Sequence, residues 1–196
     1  MIEVYRAKRG LMLIGITGTN SSGKETVAEY LIKKGFAHFS LSDELREIAK
    51  ERGSDTTRET LIALGNELRK KYGEGELAKR VLKKIQGKAV VSSIRNLGEI
   101  KELKKQKNFI LVNVDAKPQI RFKRAQKRNR LGDTKTLKEF IAQEERENSQ
   151  NKFAQQLSLC QKEADYIINN NGTLKELYAQ IEKILRTLSV QKTIMG

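Results

Sequence analysis

Short apolar runs alternate along this chain with stretches whose apolar residues recur every three or four positions. Leu11 to Ile16 is a compact apolar run that ends at Gly18, the pattern of a buried strand. Glu25 to Lys34 carries Val27, Ala28, Leu31 and Ile32 at helical spacing and stops at Gly35. Phe36 to Leu41 predicts a second strand, and Ser42 to Arg52 a helix with Leu45, Ile48 and Ala49 on one face. Thr56 and Glu59 have capping-box spacing ahead of the periodic Leu61, Leu64 and Leu68. Gly75 to Ile85 predicts a further helix, and Ala89 to Ser92 a third strand. Leu97 to Lys105 reads as a helix, and Phe109 to Asp115 as the strongest strand of the chain. Gln119 to Arg130 predicts a very basic helix, followed by a second capping box, Thr136 and Glu139, opening a helix to about Glu147. A helix near Phe153 to Ala164 then precedes a strand at Tyr166 to Asn169. Thr173 and Glu176 cap a last amphipathic helix to about Leu188, leaving 189–196 as a tail.

Strands that alternate with helices predict an α/β fold with a parallel sheet of about five strands and right-handed crossovers. Ligands are then expected beyond the carboxyl ends of the strands, just after Ile16, Ser92 and Asp115. With one proline, no linker of small residues and no repeat, residues 1–188 read as a single domain.

Composition narrows this further. A chain of 196 residues is long enough to bury a core without disulfides, and its single cysteine, Cys160, cannot form one internally. No apolar run approaches the length of about 20 residues that a membrane span needs. The expectation is a soluble cytoplasmic protein without membrane partners. The formal charge of +15 predicts affinity for phosphate, whether on nucleotides or on nucleic acid.

Gly18-Thr-Asn20-Ser21-Ser22-Gly23-Lys24-Glu25-Thr26 supplies the chemistry. G-x-x-x-x-G-K arises by composition in about 5% of chains of this size, so its setting decides its meaning. Here a strand leads in and a helix leads out, as a phosphate-binding loop requires. Glycine permits a tight turn, successive backbone N–H groups cradle phosphate oxygens, and the helix adds its N-terminal dipole. Lys24 is placed for the β- and γ-phosphates. Thr26 and Glu25 are the candidate magnesium contacts. The fold is therefore expected to be a three-layer P-loop NTPase fold binding ATP with Mg2+.

The G-K-x-T arrangement resembles the adenylate-kinase-like nucleoside monophosphate kinases. Phe39-Ser-Leu-Ser-Asp43-Glu-Leu-Arg46 is similar to their T-G-D-x-x-R segment and to the aspartate segment of dephospho-CoA kinases. The resemblance implies Arg46 as a grip on an acceptor phosphate and Asp43 as an orienting group or base. Ser92-Ser93-Ile94-Arg95 looks like their D-G-F-P-R segment, implying Arg95 as a second acceptor contact with Glu99 one turn on. The family's aspartate is replaced there. Arg58 and Arg69, in an acceptor-binding helical insert at about 42–86, are candidate phosphate or base contacts; the alternative is solvated helix faces. Arg121, Arg124, Arg128, Arg130 and Arg146 resemble the arginines of the lid, at about 118–150, with Arg124 and Arg128 on one face. Ala164-Asp165-Tyr-Ile-Ile-Asn169-Asn-Asn171-Gly172 closely resembles a dephospho-CoA kinase segment, implying Asn171 and Gly172 beside the adenine.

His38, the one histidine, reads as structural, and Cys160 has no partner for a zinc site. The aromatics form no stacking platform for RNA. The expected activity is transfer of the ATP γ-phosphate to a small phosphorylated acceptor, a nucleoside or deoxynucleoside monophosphate, by a monomer or homodimer. Phosphorylation of a dephospho-CoA hydroxyl and an ATP-dependent RNA-binding or assembly role on the same fold are the alternatives.

Overall fold

A computed structural model describes residues 12–128 and 136–194. Five parallel strands form one sheet in the order β2-β3-β1-β4-β5. They are β1 (Leu13–Thr17), β2 (Ala37–Ser40), β3 (Ala89–Ser92), β4 (Phe109–Asp115) and β5 (Tyr166–Asn169). The helices are α1 (Lys24–Lys33), α2 (Leu41–Glu51), α3 (Arg58–Tyr72), α4 (Glu76–Lys84), α5 (Leu97–Leu103), α6 (Pro118–Arg128), α7 (Leu137–Glu147), α8 (Leu157–Lys162) and α9 (Leu174–Ile194).

Alternation within each strand builds two cores. Leu13, Ala89, Val91 and Leu111 face one side, where α2 to α5 and Cys160 of α8 cover them. Ile14, Ile16, Val90, Val112, Val114 and Ile168 face the other, under Val27, Ala28 and Leu31 of α1 and Leu177, Ile181 and Ile184 of α9. A central strand buried on both faces is apolar at most positions, which is why β1, β3 and β4 read as near-continuous runs, with polar residues at Thr17, Ser92 and Asn113 toward their carboxyl ends. The three layers bring the carboxyl ends of β3, β1 and β4 side by side.

The elements depart from expectation in three places. The cap of α3 is Thr57, whose side chain accepts from the Thr60 N–H, rather than Thr56. Asp55 Oδ1 accepts from both the backbone N and the hydroxyl of Thr57, and this turn sets the helix start one residue later. The helix expected from Phe153 begins only at Leu157. Ahead of it, Asn96 Nδ2 takes the carbonyls of Lys152 and Ala154, and the Gln156 N–H goes to the Arg95 carbonyl, so these groups cannot enter a helix ladder. The expected tail from Ser189 is helical as far as Ile194, since neither glycine nor proline interrupts it. Leu11 and Arg130 lie outside the described residues. No helix among the described residues is long and apolar enough to cross a membrane.

Candidate active site

The loop from Gly18 to Lys24 joins the end of β1 to α1. Gly18 has φ +136°, and a Cβ there would stand 2.0 Å from the Val114 carbonyl oxygen. Only glycine lets the chain cross β4 this closely. Gly23, at φ +102°, is the N-cap of α1, and no side chain caps that helix. The first N–H groups of α1 have no intrahelical acceptor by geometry, which makes them anion-binding groups. Ser21 takes φ +56° although it is not glycine. The Ser21 and Ser22 hydroxyls are buried and have no hydrogen-bond partner among the described residues. Leaving a buried hydroxyl unpaired costs about 1–3 kcal/mol. A loop with these orphaned groups and an uncapped helix fits a phosphate.

Lys24 folds back over the loop, donating to the Gly18 carbonyl at 2.8 Å and the Thr19 carbonyl at 2.5 Å. Burial, and then the charge of Arg95, push its pKa down from 10.5 to about 7; Arg121 adds to this, while Glu25 and Glu144 oppose it. Lys24, Arg95 and Arg121 therefore form one cationic neighbourhood.

The basic face of α6 docks on this loop. Arg121 donates to the carbonyls of Ala116 and Asn20 and pairs with Glu144 of α7. Arg124 reaches the carbonyls of Ser22 at 3.4 Å and Asn170 at 2.9 Å. Arg128 meets Asn20 Oδ1 at 3.5 Å. Positions i, i+3 and i+7 share one helix face, so the expected grouping of Arg124 and Arg128 is present and extends to Arg121. Phe122 and Phe140 pack between α6 and α7 with ring centroids 5.8 Å apart.

Thr19 Oγ1 donates to Asp115 Oδ1 at 3.0 Å, tying the loop to the end of β4. Asn170 Nδ2 donates to the Ser22 carbonyl at 2.8 Å. The residue after β5 that touches the loop is thus Asn170 rather than Asn171 or Gly172. Asn171 Oδ1 instead accepts from the Lys117 N–H, and Gly172 packs beside the Glu176 carboxylate. Asp115, Glu144 and Asn170 were absent from the site read from sequence, and Arg121 entered it only as one of the lid arginines. The signals for them were positional: Asp115 ends the strand beside β1, and Asn170 directly follows β5.

On the acceptor side the outcome is mixed. Asp43 Oδ1 receives Arg46 Nη1 at 2.6 Å in an exposed i,i+3 pair at the start of α2. Asp43 and Glu25 both act electrostatically on His38, whose pKa burial lowers and whose Nε2 lies 2.8 Å from Ser92 Oγ. Arg58 is half-buried at the first position of α3. Arg69 and Glu99 are not acceptor contacts. Arg69 gives Nε and Nη2 to Glu99 Oε1, and Nη1 to Asn66 and the Phe153 carbonyl. Glu99 is 1% exposed, and its Oε2 accepts the N–H groups of Arg95 and Asn96. The pair is buried scaffold that fixes the backbone of Arg95. Arg95 Nη1 in turn donates to Gln155 Oε1 at 3.2 Å.

Among the described residues no group of three or more His, Cys, Asp or Glu could hold a metal ion. In phosphate sites Mg2+ is held largely by phosphate oxygens and waters with one or two protein groups. Thr26, half-buried, and Glu25, exposed, stand in the first turn of α1.

Comparison with known proteins matches an AAA domain to residues 14–152. A UPF0200 protein of Sulfurisphaera tokodaii is 32% identical over 91% of this chain and 98% of its own length. A UPF0200 protein of Pyrococcus horikoshii is 31% identical over 89% and 96%. Among solved structures, TT1252 from Thermus thermophilus superposes with a TM-score of 0.60 at 23% identity, covering 92% of this chain and 99% of that one. Shikimate kinase from Bacteroides thetaiotaomicron does so with 0.58 at 15%, covering 91% and 98%. These likenesses establish a kinase-like P-loop fold.

Proposed function

Given that this chain belongs to the AAA domain family, with UPF0200 proteins as full-length relatives, we propose that it is an ATP-dependent phosphotransferase acting on a small phosphorylated acceptor. The acceptor is a nucleoside or deoxynucleoside monophosphate. The observation that carries this reading is the phosphate-binding loop itself, with its uncapped helix and unpartnered Ser21 and Ser22 hydroxyls, met by Arg121, Arg124 and Arg128 of α6. The solved neighbours include shikimate kinases, which supports kinase chemistry on this architecture.

Phosphoryl transfer asks little covalent chemistry of the protein; it needs positioned positive charge and exclusion of water. The Gly18–Thr26 loop binds the ATP phosphates, with Asn20, Ser21, Ser22 and Gly23 at the phosphate face. Thr26 or Glu25 would hold Mg2+, which when bound would supply charge neutralisation at the phosphates. Lys24, Arg124 and Arg128 stabilise charge on the travelling group. Arg95 and Arg46 orient the acceptor. Its phosphate oxygen bonds to the γ-phosphorus as the bond to the β–γ bridging oxygen breaks and ADP leaves. No strong base is needed.

A hydroxyl acceptor, as in dephospho-CoA, is the second reading. It is favoured by Asp43, exposed at the start of α2, which would take the hydroxyl proton as the new bond forms. Incubation with Mg-ATP and a panel of nucleoside monophosphates and dephospho-CoA, followed by chromatography, tests both. Turnover of a monophosphate supports the first reading and turnover of dephospho-CoA the second. Turnover of neither, with salt-sensitive RNA binding, contradicts both.

A further inference from the structure

A cavity of about 470 Å3 lies between α3 and α7, within the range of sites that take small organic ligands. Its wall brings together three carboxamides: Asn66 of α3, Gln143 of α7 and Gln155 of the segment before α8. Ile62 adds an apolar surface, and Glu59 and Arg146 add opposite charges. Each carboxamide offers two donors and an acceptor. Converging amides beside an apolar side chain suit a flat ligand with hydrogen-bonding groups along its edge.

The cavity is connected to the phosphate end of the site. Gln155 lines it and accepts from Arg95 Nη1 at 3.2 Å, and Arg95 is the strongest charge acting on Lys24. Gln155 thus joins the Arg95 guanidinium directly to the cavity wall. The wall is held from beneath: Asn66 Oδ1 accepts from Arg69, and Asn96 clamps the carbonyls of Lys152 and Ala154 next to Gln155.

We propose that this cavity receives the base of the acceptor nucleotide, and that Asn66 and Gln143 select the base by hydrogen bonds to its edge. This rests on the phosphotransferase reading for its acceptor class. Because α3 and α7 each supply one wall, recognition of the base also bridges the acceptor-binding insert and the lid side of the molecule.

The test measures binding and transfer separately. Calorimetric titration of the four common ribonucleoside monophosphates, in the presence of a non-hydrolysable ATP analogue, is expected to show one base preferred. Gln143→Ala is expected to weaken that ligand about tenfold and flatten the ranking, with affinity for the ATP analogue within twofold of wild type. Asn66→Ala is expected to do the same, and thermal melts identify any loss through unfolding. Unchanged monophosphate affinity and ranking in folded Gln143→Ala overturns the proposal, as does absence of monophosphate binding to the wild type. Base-selective binding that depends on Gln143, without phosphate transfer in a parallel assay, upholds the cavity assignment and overturns the transferase reading alone.

Discussion

Arg69 of α3 places Nε and Nη2 on one oxygen of Glu99 in α5, at 3.2 and 2.9 Å, in the protein interior. Removing either partner leaves the other charge buried and unpaired, at a cost of about 3–5 kcal/mol. Glu99→Ala and Arg69→Ala are therefore expected to lose about this much in urea unfolding. The double variant Arg69→Met/Glu99→Leu is expected to recover much of it. Simple summation of the two single losses in the double variant would count against the pairing.

The phosphate loop gives a second expectation. Gly18→Ala sets a Cβ 2.0 Å from a backbone oxygen at a φ that disfavours side chains. A neighbouring strand cannot yield as a flexible side chain would. Loss of ATP binding is expected, together with destabilisation well above the roughly 1 kcal/mol for a residue held at positive φ. Gly35→Ala, at φ +84° with nothing within 4 Å of the new Cβ, is the control and keeps ATP affinity. Equal effects of the two changes in melting and ATP titration would refute the steric account.

Ser21 holds φ +56° in the same loop. A non-glycine residue there costs about 1–2 kcal/mol, partly offset in glycine by its larger loss of freedom on folding, about 0.5–1 kcal/mol. Ser21→Gly is expected to stabilise the protein by up to about 1 kcal/mol in thermal or urea unfolding. A loss of stability would show that the serine hydroxyl does more than the backbone strain costs.

Lys24, with its pKa near 7, couples binding to protons. Its folded value lies below the ordinary 10.5, so the unfolded chain holds the extra proton between pH 7 and 10.5. Its contribution to stability therefore rises with pH through that window. Phosphate favours the ammonium, so ATP binding at pH 8.5 takes up close to one proton. Calorimetry in buffers of different ionisation heat measures this. The uptake by Lys24 disappears near pH 6, and Lys24→Met abolishes it. Buffer-independent heats at pH 8.5 would contradict the lowered pKa.

How much of this was legible beforehand follows from the range of each interaction. The loop was legible because glycine, lysine and threonine act at fixed separations within nine residues. The strands were legible because β1, β3 and β4 are apolar on both faces. Asp115 and Asn170 were missed because they meet the loop across 96 and 148 positions, respectively, which periodicity does not encode. Arg69 was misassigned because a cation on an amphipathic helix looks solvated unless its partner is known. The partner had left a mark: Asn96-Leu-Gly-Glu99 has capping-box spacing, and both halves of that box form. A glutamate committed to a cap is a poor substrate contact. The late start at Leu157 of the helix expected from Phe153 was illegible for the same reason, since Asn96 and Arg95 of a distant segment bond the backbone groups ahead of it.

The most direct measurement is phosphorus NMR of the protein with Mg-ATP and a nucleoside monophosphate, for wild type and Lys24→Met. The predicted result is ADP and nucleoside diphosphate appearing in equal amounts with the preferred acceptor. The rate should fall at least a hundredfold in the variant, about 2.7 kcal/mol or more of transition-state stabilisation. ADP accompanied only by inorganic phosphate, at a rate indifferent to every acceptor supplied, would contradict the transferase assignment.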